Sequence, residues 1–148
     1  MRLKHGILIV AQTREIRSTL GSWFDGAGYE VAVATSFPEG KDLLKLGPDV
    51  VVAELKLGEY NGLHLADRAL SSGVPAVVIG PKDIGLERDA EDLGAVYLSA
   101  VRKEELLGVV ERELHEHAEA AGAENVRFVP ARRGSTPRII PGRSNLSN

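Results

Sequence analysis

Five short apolar runs, separated by segments of helical length, constrain the fold of this chain more than any other feature. The runs cover residues 7–10, 31–34, 50–53, 76–79 and 96–98, and aliphatic residues dominate them. Because none alternates between apolar and polar residues, we expect each strand to be buried on both faces. Strands of this kind form a parallel sheet that is covered by helices on both sides.

The intervening segments have the spacing of amphipathic helices. Apolar residues recur every three or four positions in residues 15–27, 38–46, 63–70 and 102–121, and the alternation implies one more helix before the last strand. Ser36-Phe37-Pro38-Glu39 is typical of a capping box, and Gly47-Pro48 of a helix end. Right-handed crossovers then predict an α/β fold: a flavodoxin-like, doubly wound, five-stranded parallel sheet of order 2-1-3-4-5 with five helices.

Composition excludes several classes of protein. The 148 residues are 43% hydrophobic and 26% charged, as expected of one globular domain. The chain has no cysteine, which excludes disulfides, a thiol nucleophile and thiolate metal ligands. Residues 1–5 lack an apolar signal region, and no apolar run approaches the length of a membrane span. We therefore expect a cytoplasmic protein with no membrane association.

The charge is divided unevenly along the chain. All 21 acidic residues precede residue 125, whereas residues 125–148 carry only positive charges, on Arg127, Arg132, Arg133, Arg138 and Arg143. Prolines and glycines interrupt this end of the chain, so we predict a domain at 1–121 and a basic, disordered tail at 122–148. A solvated tail is the simplest interpretation, and we expect no nucleic-acid binding because Phe128 alone offers stacking. Contact with the acidic body, or docking through Phe128-Val129-Pro130 or Arg138-Ile139-Ile140-Pro141, is the alternative.

In an open parallel sheet, ligands and chemistry lie beyond the carboxyl ends of the strands. This rule selects a small set of candidate site residues, which are Ala11, Gln12, Glu54, Gly80, Ser99 and Ala100. Glu54 is the acidic member of the set and ends the third predicted strand. Residues 48–55, together with Asn61-Gly62-Leu63, resemble the third strand of a response-regulator receiver domain of the CheY-like superfamily. The resemblance covers residues 5–117.

The resemblance implies a phosphoacceptor pocket that this sequence does not reproduce. Receivers place an acidic pair after the first strand, an acceptor aspartate after the third, Thr or Ser after the fourth, and Lys-Pro after the fifth. The matching positions here hold Ala11-Gln12, Glu54, Gly80 and about Ala100-Val101. The chain is therefore expected to be a degenerate receiver, or pseudo-receiver, with an atypical phosphorylation site.

These replacements should weaken both magnesium binding and phosphoryl transfer. Aspartyl phosphorylation needs Mg²⁺ held by carboxylates, but Ala11 offers no ligand and Gln12 only a neutral carbonyl. His115-Glu116-His117 is not a metal site either, because residues two apart on a helix do not face each other. With no nucleophile triad, G-x-G-x-x-G or P-loop in the sequence, we expect no enzyme activity, metal or cofactor.

Two interpretations of Glu54 remain open on the sequence. Its longer side chain could act as a permanent partial mimic of an aspartyl phosphate, although one planar charge replaces a tetrahedral group of about −1.5 to −2. The alternative, which we favour slightly, is a strand-end carboxylate that is solvated or paired with Arg14, Lys56 or Lys82.

Receivers often place an aromatic residue on the fifth strand that turns inward in the active state. Tyr97 holds this position, and Gly80 leaves room for an inward pose. The alternative is that Tyr97 only packs in the core or at the edge of the sheet. We predict a fixed orientation. The resemblance also implies a switch and partner face on the fourth helix, fifth strand and fifth helix. We assign to it Tyr97, Glu87, Arg88, Glu91, Arg102 and Lys103.

The predicted function is a phosphorylation-independent protein-interaction module in bacterial two-component signalling. Its partners would be signalling proteins, such as a histidine kinase or another regulator, or a second copy of the chain bound through the same face. One alternative is a single-domain response regulator that still accepts phosphate through the altered pocket. Another is a flavodoxin-like protein that binds a small ligand in the crevice.

Overall fold

The computed structural model describes residues 4–120, with side chains described through residue 117. The strands are β1 (Gly6–Val10), β2 (Glu30–Ala34), β3 (Val50–Glu54), β4 (Lys56–Leu57), β5 (Tyr60–Asn61), β6 (Ala76–Ile79) and β7 (Val96–Leu98). The helices are α1 (Arg14–Gly26), α2 (Phe37–Leu44), α3 (Gly62–Ser71), α4 (Ile84–Leu93) and α5 (Lys103–Ala120). The predicted tail at 122–148 lies outside the described residues.

Five strands form one parallel sheet of order β2-β1-β3-β6-β7. This is the predicted order, because β6 and β7 are the predicted fourth and fifth strands. The flavodoxin-like fold with five helices is thus confirmed. The sequence did not predict β4 and β5, which pair antiparallel directly after β3. Gly58 sits in the turn between them with φ 66°, in the left-handed region that glycine adopts readily.

Burial on both faces of the sheet follows from the alternation of side chains along each strand. On β1, Leu8 and Val10 pack into the cluster beneath α2, α3 and α4, whereas Ile7 and Ile9 pack into the cluster beneath α1 and α5. All four side chains are fully buried. The two clusters explain why the strands are apolar throughout.

The ends of the helices match local sequence signals, with one difference. Ser36 caps α2, since its Oγ accepts a hydrogen bond from the Glu39 N–H at 3.3 Å. Glu39 does not return the bond to Ser36. Its Oε1 instead accepts from the N–H of Thr35 at 2.8 Å, so the predicted capping box is shifted by one residue. Gly47, with φ 74°, follows the end of α2 as predicted.

The sequence pattern predicted a helix before the last strand but not its bounds, and α4 is that helix. Asp83 caps it by accepting a hydrogen bond from the Leu86 N–H at 3.0 Å, and Gly94 ends it with φ 92°. Its buried side packs on the sheet through Ala90. Two large apolar side chains on α4 stay exposed: Ile84 at 69% and Leu93 at 37%. Within residues 4–120, no helix is long and apolar enough to cross a bilayer.

Candidate functional site

The carboxyl ends of β1 and β3 bring Gln12 and Glu54 into direct contact. The Glu54 Oε1 accepts hydrogen bonds from the backbone N–H of Gln12 at 2.9 Å and of Thr13 at 3.0 Å. The Oε2 accepts one from the Thr13 hydroxyl at 2.7 Å. Both carboxylate oxygens are therefore engaged by the loop between β1 and α1. In the described part of the chain, Arg14, Lys56 and Lys82 form no ion pair with Glu54 within 4.0 Å.

Thr13 connects the site to the first helix. It is the N-cap residue of α1 with extended backbone, yet its side chain makes no capping hydrogen bond. Its hydroxyl donates to Glu54 instead. Hydrogen bonds to a charged acceptor contribute about 1.5–3 kcal/mol each, more than a typical neutral cap. The sequence signal of a threonine before a helix predicts capping, and so did not identify this role.

Arg17 supports the same loop from its other side. Its Nη1 donates to the backbone carbonyls of Ala11 and Gln12, each at 2.9 Å. The loop thus has its N–H groups directed to a carboxylate and two carbonyls directed to a guanidinium. We call Gln12, Thr13, Arg17 and Glu54 the Glu54 latch. Arg17 lies one turn into α1, and nothing in its sequence context singled it out.

Gln12 also contacts the hairpin that follows β3. Its side-chain Oε1 accepts a hydrogen bond from the Gly58 N–H at 3.3 Å. The amide oxygen that could have served as a neutral metal ligand is therefore directed to the turn between β4 and β5. Among the described residues, no group of three or more His, Asp or Glu side chains is placed to hold a metal ion.

On the other half of the carboxyl edge, Gly80 lies against Tyr97. The Tyr97 side chain is buried, with 8% of the residue exposed, and its hydroxyl donates to the Pro81 carbonyl at 2.6 Å. A Cβ atom built on Gly80 would lie 2.5 Å from the Tyr97 hydroxyl and 3.0 Å from the Leu55 Cβ. The tyrosine hydroxyl therefore occupies the space that a side chain at position 80 would need. We call this the Gly80–Tyr97 contact.

The environment of Tyr97 also affects its ionisation. Burial raises the pKa of the Tyr97 hydroxyl, and the nearby carboxylates of Asp83 and Glu87 raise it further. Both causes disfavour the charged phenolate. The hydroxyl consequently stays a hydrogen-bond donor to Pro81 across the neutral pH range.

The other predicted site residues are dispersed. Ala100 follows β7, is exposed and has φ 50°, a left-handed conformation that is uncommon for a residue with a Cβ. Ala11 is fully buried. Of the predicted partner face, the residues other than Tyr97 are exposed on or beside α4 and α5, namely Glu87, Arg88, Glu91, Arg102 and Lys103.

Comparisons with known proteins identify the fold. The sequence matches no protein-family model and no curated protein. Its structure is similar to a CheY-like response regulator receiver domain protein from Methanospirillum hungatei, with TM-score 0.70 and 24% identity over 80% of this chain and 99% of that one. It is also similar to a putative response regulator from Chloroflexus aurantiacus, with TM-score 0.66 and 27% identity over 76% and 98% of the two chains.

A third similar structure is the signal receiver domain of a modulated diguanylate cyclase from Desulfovibrio desulfuricans, with TM-score 0.67 and 24% identity over 79% and 98% of the chains. All three neighbours are described as response regulators or receiver domains. The chain therefore has the receiver fold found in signal-transduction proteins, and the predicted resemblance is confirmed at the level of the fold.

Proposed function

We propose that this chain is a degenerate receiver that acts as a protein-interaction module in signal transduction, without phosphorylation and without enzyme activity. The Glu54 latch is the observation that carries the proposal. Both oxygens of the carboxylate at the acceptor position accept hydrogen bonds from Gln12 and Thr13. A phosphoryl donor would have to break these bonds at a position where carboxylates for Mg²⁺ are also missing.

The direction of the Glu54 side chain argues against mimicry of a phosphorylated state. In receivers, the hydroxyl residue after the fourth strand and the lysine after the fifth respond to the phosphoryl group. Glu54 turns instead toward the loop after β1, away from the positions of Gly80 and Ala100 in the sheet. Its carboxylate stabilises that loop rather than signalling to β6 and β7.

The Gly80–Tyr97 contact supports a fixed partner face. Tyr97 is turned inward and bonded to Pro81, in the orientation that receivers adopt when active. Because Gly80 carries no side chain, no group there can move to report phosphorylation. The exposed charges on α4 and α5, together with Ile84 and Leu93, form a surface suited to a protein partner. A signalling protein or a second copy of the chain is the proposed occupant.

An amide NMR titration with Mg²⁺, followed by beryllofluoride, tests this function. We expect no saturable shifts at Glu54, Gly80 or Tyr97. The Gln12→Asp/Glu54→Asp double variant, which supplies two aspartates to the same edge, provides the control and should respond to Mg²⁺. Saturable shifts in the unmodified protein that extend from Glu54 to Tyr97 would show that phosphoryl switching survives.

A cavity beside Gln12 favours a second candidate function, the binding of a small ligand. It has a volume of about 230 Å³ and is lined by Phe37, Leu57 and Tyr60, among others. Phe37 and Tyr60 stack at its side with ring centroids 4.4 Å apart. Native mass spectrometry of the purified protein distinguishes the candidates, since a co-purifying small molecule that is lost in a Tyr60→Ala variant would support ligand binding.

A further inference from the structure

An apolar groove lies between α1 and the segment that leads into α5. Its volume is about 280 Å³, and it opens on the sheet face that α1 and α5 cover. The apolar lining comes from α1, the end of β6 and the start of the α5 segment, and consists of Ile16, Leu20, Trp23, Ile79 and Val101. Neither the Glu54 latch nor the Gly80–Tyr97 contact uses this groove.

One charged residue belongs to the described lining of the groove. Glu15, an exposed residue of α1, contributes to the lining and forms no ion pair with any residue of the described range within 4.0 Å. The charges of Arg102 and Lys103 are balanced by those of Glu104 and Glu105, so Glu15 is the charge that an occupant of the groove would meet. A suitable occupant would therefore combine aliphatic side chains with a positive charge beside them.

The chain itself contains such a segment beyond residue 120. Arg138-Ile139-Ile140-Pro141 places one arginine directly before two branched aliphatic residues and a proline. A related arrangement, with an aromatic residue in place of the first aliphatic one, is Arg127-Phe128-Val129-Pro130. Residues 125–148 contain no acidic residue that would oppose contact with Glu15.

The distance from the end of α5 back to the groove favours the segment at residues 138–141 over the one at residues 127–130. The groove lies at the start of α5, and the 18 residues of this helix extend about 27 Å away from it. For a random coil with as many residues as separate Ala120 from Arg138, the end-to-end distance is about 21–25 Å. For the shorter separation from Ala120 to Arg127, the same relation gives only about 13–16 Å. The span back to the groove thus matches the segment that begins at Arg138.

We propose that Arg138-Ile139-Ile140-Pro141 docks into this groove of its own chain, with the isoleucines against the apolar lining and Arg138 beside Glu15. Tethering gives the segment an effective concentration of about the millimolar range, so even a weak contact would be occupied. The contact does not involve Glu54 or Tyr97, so its failure would leave the proposed function untouched. Its effect would be to cover an apolar surface between α1 and α5.

Trp23 provides a direct readout, because it lines the groove and is the only tryptophan of the chain. The experiment compares full-length protein with two full-length variants, Ile139→Ser/Ile140→Ser and the matched control Phe128→Ser/Val129→Ser. Tryptophan emission and its quenching by acrylamide are measured at two ionic strengths. Amide shifts of Ile16, Leu20 and Val101 give a second readout.

We expect the Ile139→Ser/Ile140→Ser variant to show red-shifted Trp23 emission and stronger quenching, with amide shifts at the groove. The control variant should resemble the unmodified protein, and Glu15→Gln should reduce the salt dependence of the difference. Identical emission and quenching in all proteins would overturn the proposal, and so would an effect confined to the Phe128→Ser/Val129→Ser variant. Loss of Trp23 protection on dilution would also overturn it, because it would assign the occupant to a second copy of the chain.

Discussion

The two halves of the carboxyl edge are stabilised by different means. On the β1 and β3 side, a carboxylate meets two N–H groups and a hydroxyl at 2.7–3.0 Å. On the β6 and β7 side, a glycine leaves a space that the Tyr97 hydroxyl fills. The Glu54 latch is thus held by directed polar contacts, whereas the Gly80–Tyr97 contact is held by shape and one hydrogen bond.

The difference has a separate cause in each half. A longer acidic side chain at position 54 reaches the donors of its own loop. Because Gly80 has no side chain, the ring of Tyr97 can be buried beside it. Polar contacts tolerate small displacements and can exchange with water, while close packing does not. We therefore expect the largest single effect from a substitution in the packed half, at Gly80 and Tyr97, rather than in the polar half, at Gln12, Thr13 and Glu54.

The largest effect is expected for Gly80→Ala. The new Cβ would lie 2.5 Å from the Tyr97 hydroxyl and 3.0 Å from the Leu55 Cβ, so the buried ring or the strand must move. Overpacking of this kind should lower the free energy of unfolding by about 2–3 kcal/mol. Urea unfolding of the variant and the unmodified protein measures this loss of unfolding free energy. Gly108→Ala is the matched control, since its Cβ meets nothing within 4 Å and should stabilise α5 by about 0.5–1 kcal/mol.

A double variant sharpens this test. Removing the hydroxyl in Tyr97→Phe should recover part of the loss caused by Gly80→Ala, because the nearest atom in the clash is gone. The two changes should therefore be non-additive by about 0.5–3 kcal/mol, the range for residues in direct contact. Strict additivity would mean that the ring moves away freely, and the packed half would then be no tighter than the polar half.

Glu54→Ala is expected to have the next largest effect. The change removes the acceptor for the N–H groups of Gln12 and Thr13 and for the Thr13 hydroxyl. Water can reach this partly exposed site and compensate, so the loss in unfolding free energy should be about 1–2 kcal/mol. Glu54→Gln keeps one acceptor oxygen and should lose less. Equal stabilities of the Ala variant and the unmodified protein would show that the latch contributes nothing.

Tyr97→Phe tests the single hydrogen bond of the packed half, with an expected loss of about 1 kcal/mol at neutral pH. The pKa of the Tyr97 hydroxyl is raised by burial, so its folded value lies above its unfolded value. Its contribution is then complete below the unfolded pKa and is lost as pH rises through the folded pKa. Alkaline unfolding of the Phe variant should accordingly be less steep than that of the unmodified protein. Equal steepness would remove Tyr97 as the cause.

The architecture could be predicted from the sequence because it depends on patterns spread over many residues. Apolar runs such as residues 50–53, and stop signals such as Gly47, define the strands and helix ends without reference to distant partners. The hairpin of β4 and β5 was missed because each strand has only two residues, too short for any periodicity.

The details of the site could not be predicted in the same way. Thr13 donates to Glu54, which is far away in the sequence and becomes its neighbour only in the folded chain. Arg17 donates to a backbone carbonyl, a group that every residue has and that no sequence pattern marks. Ion pairing of Glu54 with Arg14, Lys56 or Lys82 was a reasonable expectation from charge alone. Glu54 instead accepts hydrogen bonds from backbone N–H groups just before α1. These groups carry no formal charge, so the charged residues in the sequence do not indicate them.

The smallest effect is expected for Gln12→Ala, at the border of the polar half. The change removes the bond from the Gly58 N–H, which at 3.3 Å is long and lies at an exposed position, but keeps the backbone N–H that donates to Glu54. Global stability should fall by less than about 0.5 kcal/mol. Amide hydrogen exchange at Gly58 should nevertheless accelerate, while exchange at Gln12 and Thr13 stays slow. If exchange at Thr13 also accelerated, the latch would depend on the hairpin, and the polar half would be one cooperative unit rather than a local set of bonds.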